Sequence, residues 1–193
     1  IKEVKNRIGS VKSTQQLTKA MKMVAAAKLK RAQDKVTELR PYSNKLNEIL
    51  SNLSDSISNV LFEQRDVKSK LFIVVASDKG LCGSFNSNIF KLFNSVSENN
   101  NDHLDSINIL PIGKKAYDFF KKKDYNVIDQ FWNTLNGFSY ADASNIFDYV
   151  QDEYLNNNID QVHIIYNEFK NVAVQNSVVE QFLPVENNLE KDS

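Results

Sequence analysis

The sequence predicts a chain of the α/β class in two parts: a long N-terminal helix fit for a coiled coil, and a three-layer α/β domain that ends in a β-hairpin. Three observations predict it. From Val4 to Val60 only Gly9 and Pro41 interrupt helix-compatible residues, and apolar residues recur there in steps of four and three. Beyond Lys70, short apolar runs alternate with stretches of helical periodicity. Charge divides the chain in the same way. Residues 1–40 hold eleven Lys and Arg against three Asp and Glu, a net of +8; the remaining 153 residues hold thirteen against twenty-one, a net of −8. The overall formal charge of zero therefore conceals a basic arm suited to an acidic partner.

The arm, residues 1–62, is longer than an ordinary globular helix: at 1.5 Å per residue it extends roughly 85 Å. Its heptad stripe runs through Ala25, Leu29, Ala32, Val36, Leu39, Ser43, Leu46, Leu50, Leu53, Ile57 and Val60, of which only Ser43 is polar. That pattern is a coiled-coil seam. Val4, Ile8 and Val11, and then Leu17, Met21 and Val24, form shorter stripes out of phase with it, so the seam drifts around the helix there. Pro41 removes one helical donor, and a bend is expected near Glu38 to Arg40. No other segment carries a comparable heptad, so the seam's partner is expected in another chain or in sequence not present here. The chain alone is expected to expose Leu29 to Val60, and to fray there or pair with a second copy.

The domain is expected over residues 68–186, after a polar joint at 63–70. LFIVVA at 71–76 is a continuous apolar run, which suits a parallel strand buried on both faces. A glycine-bearing turn, SDKGLCG at 77–83, leads into a helix with Ile89, Phe93 and Val96 on one side. A strand at 107–112, a helix through Ala116, Phe119 and Phe120, and a short strand near 126–130 follow. Ala143, Ile146, Phe147, Val150 and Tyr154 mark a helix over about 140–155. Strands at 162–167 and 173–182 are close enough to form an antiparallel hairpin. This alternation argues a Rossmann-like arrangement of about 115 residues. Asn99–Asn101 and Asn156–Asn158 read as loops, and residues 187–193 as a polar end.

Composition narrows the chemistry. No apolar run approaches 18 residues, so no direct membrane span is expected, and no signal peptide is visible. The first residue is not Met, so the start is expected to be processed or trimmed. Cys82 is the only cysteine, which leaves no internal disulfide and no multi-cysteine metal site. His103, in a polar loop, and His163, in a strand, read as ordinary residues of those elements. A turn after the first strand is where phosphates bind in many α/β domains. Here, however, the spacing is Gly80-x-x-Gly83, without GxGxxG and without a following Gly-Lys-Ser or Gly-Lys-Thr. Asp78 could serve as a nucleophile or metal ligand but lacks a second carboxylate, lysine or serine at a supporting spacing. Cys82, near a helix N-terminus, could be reactive; packing or subunit contact is the reading preferred. No catalytic, cofactor or metal residues are assigned.

Three segments together carry a resemblance: TKAMKMVAAAKLKRAQ at 18–33, RPY at 40–42 and SDKGLCGSFN at 77–86. In this order and separation they resemble the γ subunit of the F-type rotary ATP synthase, over its N-terminal two thirds. The resemblance implies that the N-terminal helix pairs with a C-terminal helix as an antiparallel coiled coil, beside which the α/β domain sits. It implies a central-stalk rotor subunit of a proton-translocating synthase, without a catalytic site of its own, that couples ion flow to ATP synthesis or hydrolysis by rotation. The implied partners are the α and β subunits of the catalytic ring, an ε or δ-type stalk subunit and the membrane c-ring, with no nucleic acid. The implied location is peripheral on an energy-transducing membrane, at the cytoplasmic face of a bacterial plasma membrane rather than the mitochondrial inner membrane.

By motif, the resemblance places an acidic segment of β against the basic arm and near the glycine turn. The interface residues it implies are Lys19, Met21, Lys22, Lys28, Lys30 and Arg31 on the arm, with Asp78, Lys79, Gly80, Leu81 and Cys82 in the turn. Small residues, Ala20, Ala25, Ala26, Ala27 and Ala32, keep the shaft slim, and exposed ion pairs of roughly 0 to 1 kcal/mol each suit a surface that must slide. Gln16 and Leu17 depart from the family's usual Lys and Ile, and the family's long C-terminal helix does not follow Ser193, so a fragment is expected. Two other classes stay open. A basic helix with heptads is also the outline of a zipper-type DNA-binding dimer, and the turn could belong to a nucleotide-binding α/β enzyme.

Overall fold

A computed structural model describes residues 2–54, 60–98, 105–171 and 173–185, with the side chains of 47 and 50–54 excepted. The chain divides into two compact units, residues 1–56 and 57–193. Helix α1, Lys2–Ser54, makes up the first unit and runs through Pro41 without a break. Every described side chain along it is exposed or nearly so. Thr14 and Thr18 satisfy their hydroxyls within the helix, donating to the Ser10 and Thr14 carbonyls at 3.0 and 2.8 Å. Ile57, expected on the seam, lies outside the described residues, as do Asn99–Asn101, His103 and residues 187–193. Val60 lies not in a continuing α-helix but in a 3-10 turn, Val60–Phe62. The cause lies in the second unit: Leu61 packs against the domain core and its carbonyl accepts the Val185 N–H at 2.8 Å, which draws the chain off a helical path.

The second unit is built on a five-stranded sheet in the order β3-β2-β1-β4-β5. In chain order it runs β1 (Ser69–Val75), α2 (Phe85–Glu98), β2 (Ser106–Ile112), α3 (Lys114–Phe120), β3 (Asn126–Val127), α4 (Tyr140–Leu155), β4 (Gln161–Phe169) and β5 (Gln175–Leu183). The first four strands are parallel and β5 turns back antiparallel on β4. Only two residues of the stretch near 126–130 pair as a strand. Ile128 still donates its N–H to the Ile109 carbonyl at 2.8 Å, but the chain then leaves the sheet edge.

β1 is apolar throughout because both of its faces are covered. Leu71 and Ile73, with Leu110, Ile112 and Val162, meet Ile146, Val150 and Tyr154 of α4. Phe72 and Val74, with Ile109 and Ile165, meet Ile89 and Phe93 of α2 and Ala116 and Phe120 of α3. Phe93 is the hinge of that second face, with edge-on contacts to Phe72 at 5.3 Å and to Phe120 at 4.8 Å. Burying side chains of this size contributes about 1.5–3 kcal/mol each. α4 starts at a capping box: the Ser139 side chain accepts the Asp142 N–H, and the Asp142 carboxylate accepts the Ser139 N–H at 2.8 Å. The Ser139 hydroxyl, donating to the Asp142 carboxylate at 2.7 Å, and then the Ser139 N–H hold the Asp142 carboxyl below the usual range. It ends at Asn156, followed by Asn157 in the left-handed region (φ 58). Tyr154 ties the joint to α4: its hydroxyl donates to the Glu63 carbonyl at 3.3 Å, and the Arg65 guanidinium lies 3.9 Å over its ring. The Asp160 carboxylate accepts the N–H groups of Lys68 and Ser69, both at 2.9 Å, and so fixes the start of β1.

Two positions set limits on change. Gly113 joins β2 to α3 with φ 97, and a Cβ there would stand 2.1 Å from the Ala76 carbonyl oxygen. Gly113→Ala is therefore expected to lower the unfolding midpoint of the domain by several degrees or prevent its folding, read by the fluorescence of Trp132, the single tryptophan. A midpoint within a degree of the parent would contradict the close approach. His163, stacked beside Phe72, has its Nδ1 buried without a hydrogen-bond partner among the described residues. Burial first, and the charge of Lys70 second, lower its pKa from 6.5 to about 4. Between those values the unfolded chain binds a proton that the folded chain does not, so stability declines as pH falls from 6.5 toward 4. Urea midpoints at pH 7 and pH 4.5 should differ less in His163→Gln than in the parent, and equal differences would reject the assignment.

Candidate subunit interface

Helical geometry sorts the arm's residues around α1. At 3.6 residues per turn, Lys19, Lys22 and Lys30 lie along one flank of the Ala25–Leu29–Ala32–Val36 stripe, and Lys28 and Arg31 along the other. Met21 falls on the stripe's own side. The stripe is bordered by cations on both sides, and all of these residues are exposed. The large side chains of the stripe are in water: Leu29 is 39% exposed, Val36 37%, Leu39 61% and Leu46 41%. Leu50 and Leu53 fall within α1, though their side chains are not described. An apolar stripe so exposed over these turns is a face that a partner would cover.

The turn after β1 gathers the second set, Asp78, Lys79, Gly80, Leu81 and Cys82. It emerges at the carboxyl end of the central strand, where β2 and β4 lie on either side. Asn86, in the first turn of α2, organises it. Its Oδ1 accepts the Ser77 N–H at 3.0 Å, and its Nδ2 donates to Ser77 Oγ at 2.8 Å and to Cys82 Sγ at 3.3 Å. Ser77 Oγ donates in turn to the Lys79 carbonyl at 2.6 Å. Asp78 is committed elsewhere: its Oδ1 accepts the Lys114 N–H at 3.0 Å, at the start of α3. With these bonds made, the tip is pushed outward. Lys79, Gly80, Leu81 and Cys82 are exposed, and Leu81 holds a left-handed backbone (φ 62) with its side chain wholly in solvent. A non-glycine residue in that conformation costs about 1–2 kcal/mol.

Chemically, this arrangement offers contact surface: cations, one apolar side chain and a thiol on a hydrogen-bonded frame. Asn86 and Asp78's part in seating α3 were not anticipated from the sequence. A hint lay in the Asn placed at the start of the second helix, since Asn side chains favour turn backbones.

The comparisons with known proteins agree over nearly the whole chain. A family model described as ATP synthase matches residues 1–193. The ATP synthase gamma chain of Chloroherpeton thalassium is 44% identical over 194 residues, covering 96% of this chain and 63% of the relative. That of Cytophaga hutchinsonii is 45% identical over 192 residues, covering 96% of this chain and 65% of the relative. The chain thus spans a little under two thirds of the length of these curated relatives. Among solved structures, a chain of the Tetrahymena thermophila mitochondrial ATP synthase central stalk and c-ring is similar with a TM-score of 0.61 and 30% identity, covering 87% of this chain and 72% of that one. With a basic helix that carries an exposed apolar stripe, an α/β domain and relatives of that name, this chain belongs to the ATP synthase gamma chain family.

Proposed function

We propose that this chain is a central-stalk rotor subunit of a proton-translocating ATP synthase, coupling ion flow to ATP synthesis or hydrolysis at an α/β ring by rotation. The observation that carries the reading is α1: 53 residues of helix with an apolar stripe exposed along it and cations on both flanks. A helix of that kind gains stability only when its stripe is covered, so it serves as one half of a coiled coil. Paired, it is stiff enough to transmit torque, and its exposed lysines meet acidic loops through contacts weak enough to be exchanged at each step. Helix α1 is the shaft on this reading, shorter than the expected 1–62 because Leu61 belongs to the domain, and 68–186 is a Rossmann-like domain, a name that the strand order 3-2-1-4-5 supports.

Catalysis on this reading belongs to other subunits. Asp78, the acid best placed to act in the turn, spends its carboxylate on the Lys114 N–H, and Asn86 Oδ1 occupies the Ser77 N–H that a phosphate cradle would leave open. The partners are α, β, a small ε or δ-type stalk subunit and the c-ring. No helix among the described residues is long and apolar enough to cross a membrane, and attachment is peripheral, through those partners. The 44–45% identity to the curated relatives, against 30% to the mitochondrial chain, favours the cytoplasmic face of a bacterial plasma membrane.

Affinity isolation of the tagged full-length protein from its native membranes is expected to bring α and β subunits with ATPase activity; recovery of nucleic acid alone, or of nothing, would sink the proposal. On the arm, any single Lys→Glu is expected to weaken recovery of the ring little, since one exposed pair carries about 0–1 kcal/mol. The triple change Lys19→Glu, Lys22→Glu, Lys30→Glu along one flank should weaken it by about tenfold or more at physiological salt. Recovery unchanged by the triple variant would remove the arm from the interface.

A further inference from the structure

We infer that Asn136 is a site of spontaneous deamidation, at which the Gly137 backbone nitrogen attacks the side-chain amide and turns it into an acid. The sequence holds a single Asn-Gly pair, Asn136–Gly137, in the loop between β3 and α4. Both residues are exposed and both lie in a turn. Gly137 is at φ 86, and open space surrounds the position that a Cβ would take. The attacking nitrogen is therefore shielded by no side chain of its own residue, and the glycine backbone rotates with little resistance. Neither the Asn136 side chain nor the Gly137 N–H is hydrogen-bonded to another described residue, so the two groups can meet without a bond between described residues being broken first. This chemistry does not depend on the rotor reading.

The pair bridges two anchors. Before it, the Trp132 carbonyl accepts the Gly113 N–H at 2.9 Å, the Trp132 ring stacks on Tyr117 at 5.1 Å, and Leu135 packs against the domain core. After it, Ser139 caps α4. Asn133, in the same loop, supplies the contrast. It is exposed as well, but the residue that follows is Thr134, whose branched side chain crowds the backbone and whose N–H is donated to the Phe131 carbonyl at 3.3 Å. The reaction balances with water alone. The Gly137 nitrogen gives up its proton to hydroxide and bonds to Asn136 Cγ, the Cγ–Nδ2 bond breaks, and ammonia leaves with a proton taken from water, closing a five-membered imide ring. Water then adds to one of the two ring carbonyls. Opening at Cγ leaves aspartate. Opening at the main-chain carbonyl leaves isoaspartate, whose main chain runs through Cβ and Cγ and is longer by one carbon. Either product places a new carboxylate between the Leu135 and Ser139 anchors.

The test ages the purified full-length protein at pH 8 and 37 °C and follows each asparagine by peptide mass spectrometry, with enzymatic methylation of isoaspartate as an independent readout. Asn136 is expected to gain the mass of an acid about tenfold or more faster than Asn133, because only its neighbour is an unhindered glycine. The converted peptide is expected to separate by chromatography into two products of equal mass, one of which accepts the methyl group. Conversion of Asn136 no faster than that of Asn133 overturns the inference. Conversion that yields aspartate without isoaspartate overturns it too, since the imide ring would then not have formed. As a second measurement, Asn136→Ser should remove most of the methyl acceptance that ageing produces in the parent. Acceptance unchanged by that substitution would place the isoaspartate at another residue and reject the assignment.

Discussion

The burial of β1 on both faces is the constraint from which the rest of the domain follows. A strand that sees α4 on one side and α2 with α3 on the other cannot alternate polar and apolar residues, and Leu71 to Val74 accordingly do not. Because β1, β2 and β4 run parallel to one another, the connections between them must cross over through helices, and the loops after β1 and β2 leave the sheet at the same edge. That edge is where the turn 77–83 and the start of α3 meet. The position of the turn and of the start of α3 is thus a consequence of the central strand's hydrophobicity.

α1 obeys the opposite constraint. Its stripe is as regular as that of a core helix, but no described side chain of that unit buries it. A single helix in water is held by its own hydrogen bonds and by propensity, which the run of alanines at 25–27 supports. Its flanking cations repel one another, a cost that an acidic partner converts into attraction and that salt screens over about 8–10 Å. Sequence features that weaken the helix alone are the ones that fit it to a partner.

What could be read from the sequence follows the strength of each periodic signal. β1 was legible because a six-residue apolar run has no other comfortable home, and α4 because Ala143, Ile146, Phe147, Val150 and Tyr154 repeat at helical spacing. The end of the arm was not, because the heptad count passes over Val60 without knowing that Leu61 has a place in the domain core. β3 shrank to two residues for the reason that edge strands often do: Asn126 and Val127 have a neighbour on one side only. The turn itself was legible only as a motif. That Asp78 faces α3 and that Asn86 ties the loop depend on distances of nine to thirty-six residues in sequence, which no local pattern encodes.

The turn also shows how a surface can be fixed in shape while its side chains stay free. Its geometry is set by backbone groups and by three side chains that point inward, Ser77, Asp78 and Asn86, together with the missing Cβ of Gly113. Lys79 and Lys114 contribute backbone groups to that frame, and with Leu81 they keep exposed side chains. Their side chains cost the fold almost nothing to change, and apart from Leu81's backbone conformation nothing in the domain's stability requires the residues found there. Where folding does not dictate the side chain, what remains to dictate it is what the side chain touches. On the rotor reading, Lys79 and Leu81, exposed on a hydrogen-bonded loop, therefore say more about a partner than any residue in the core.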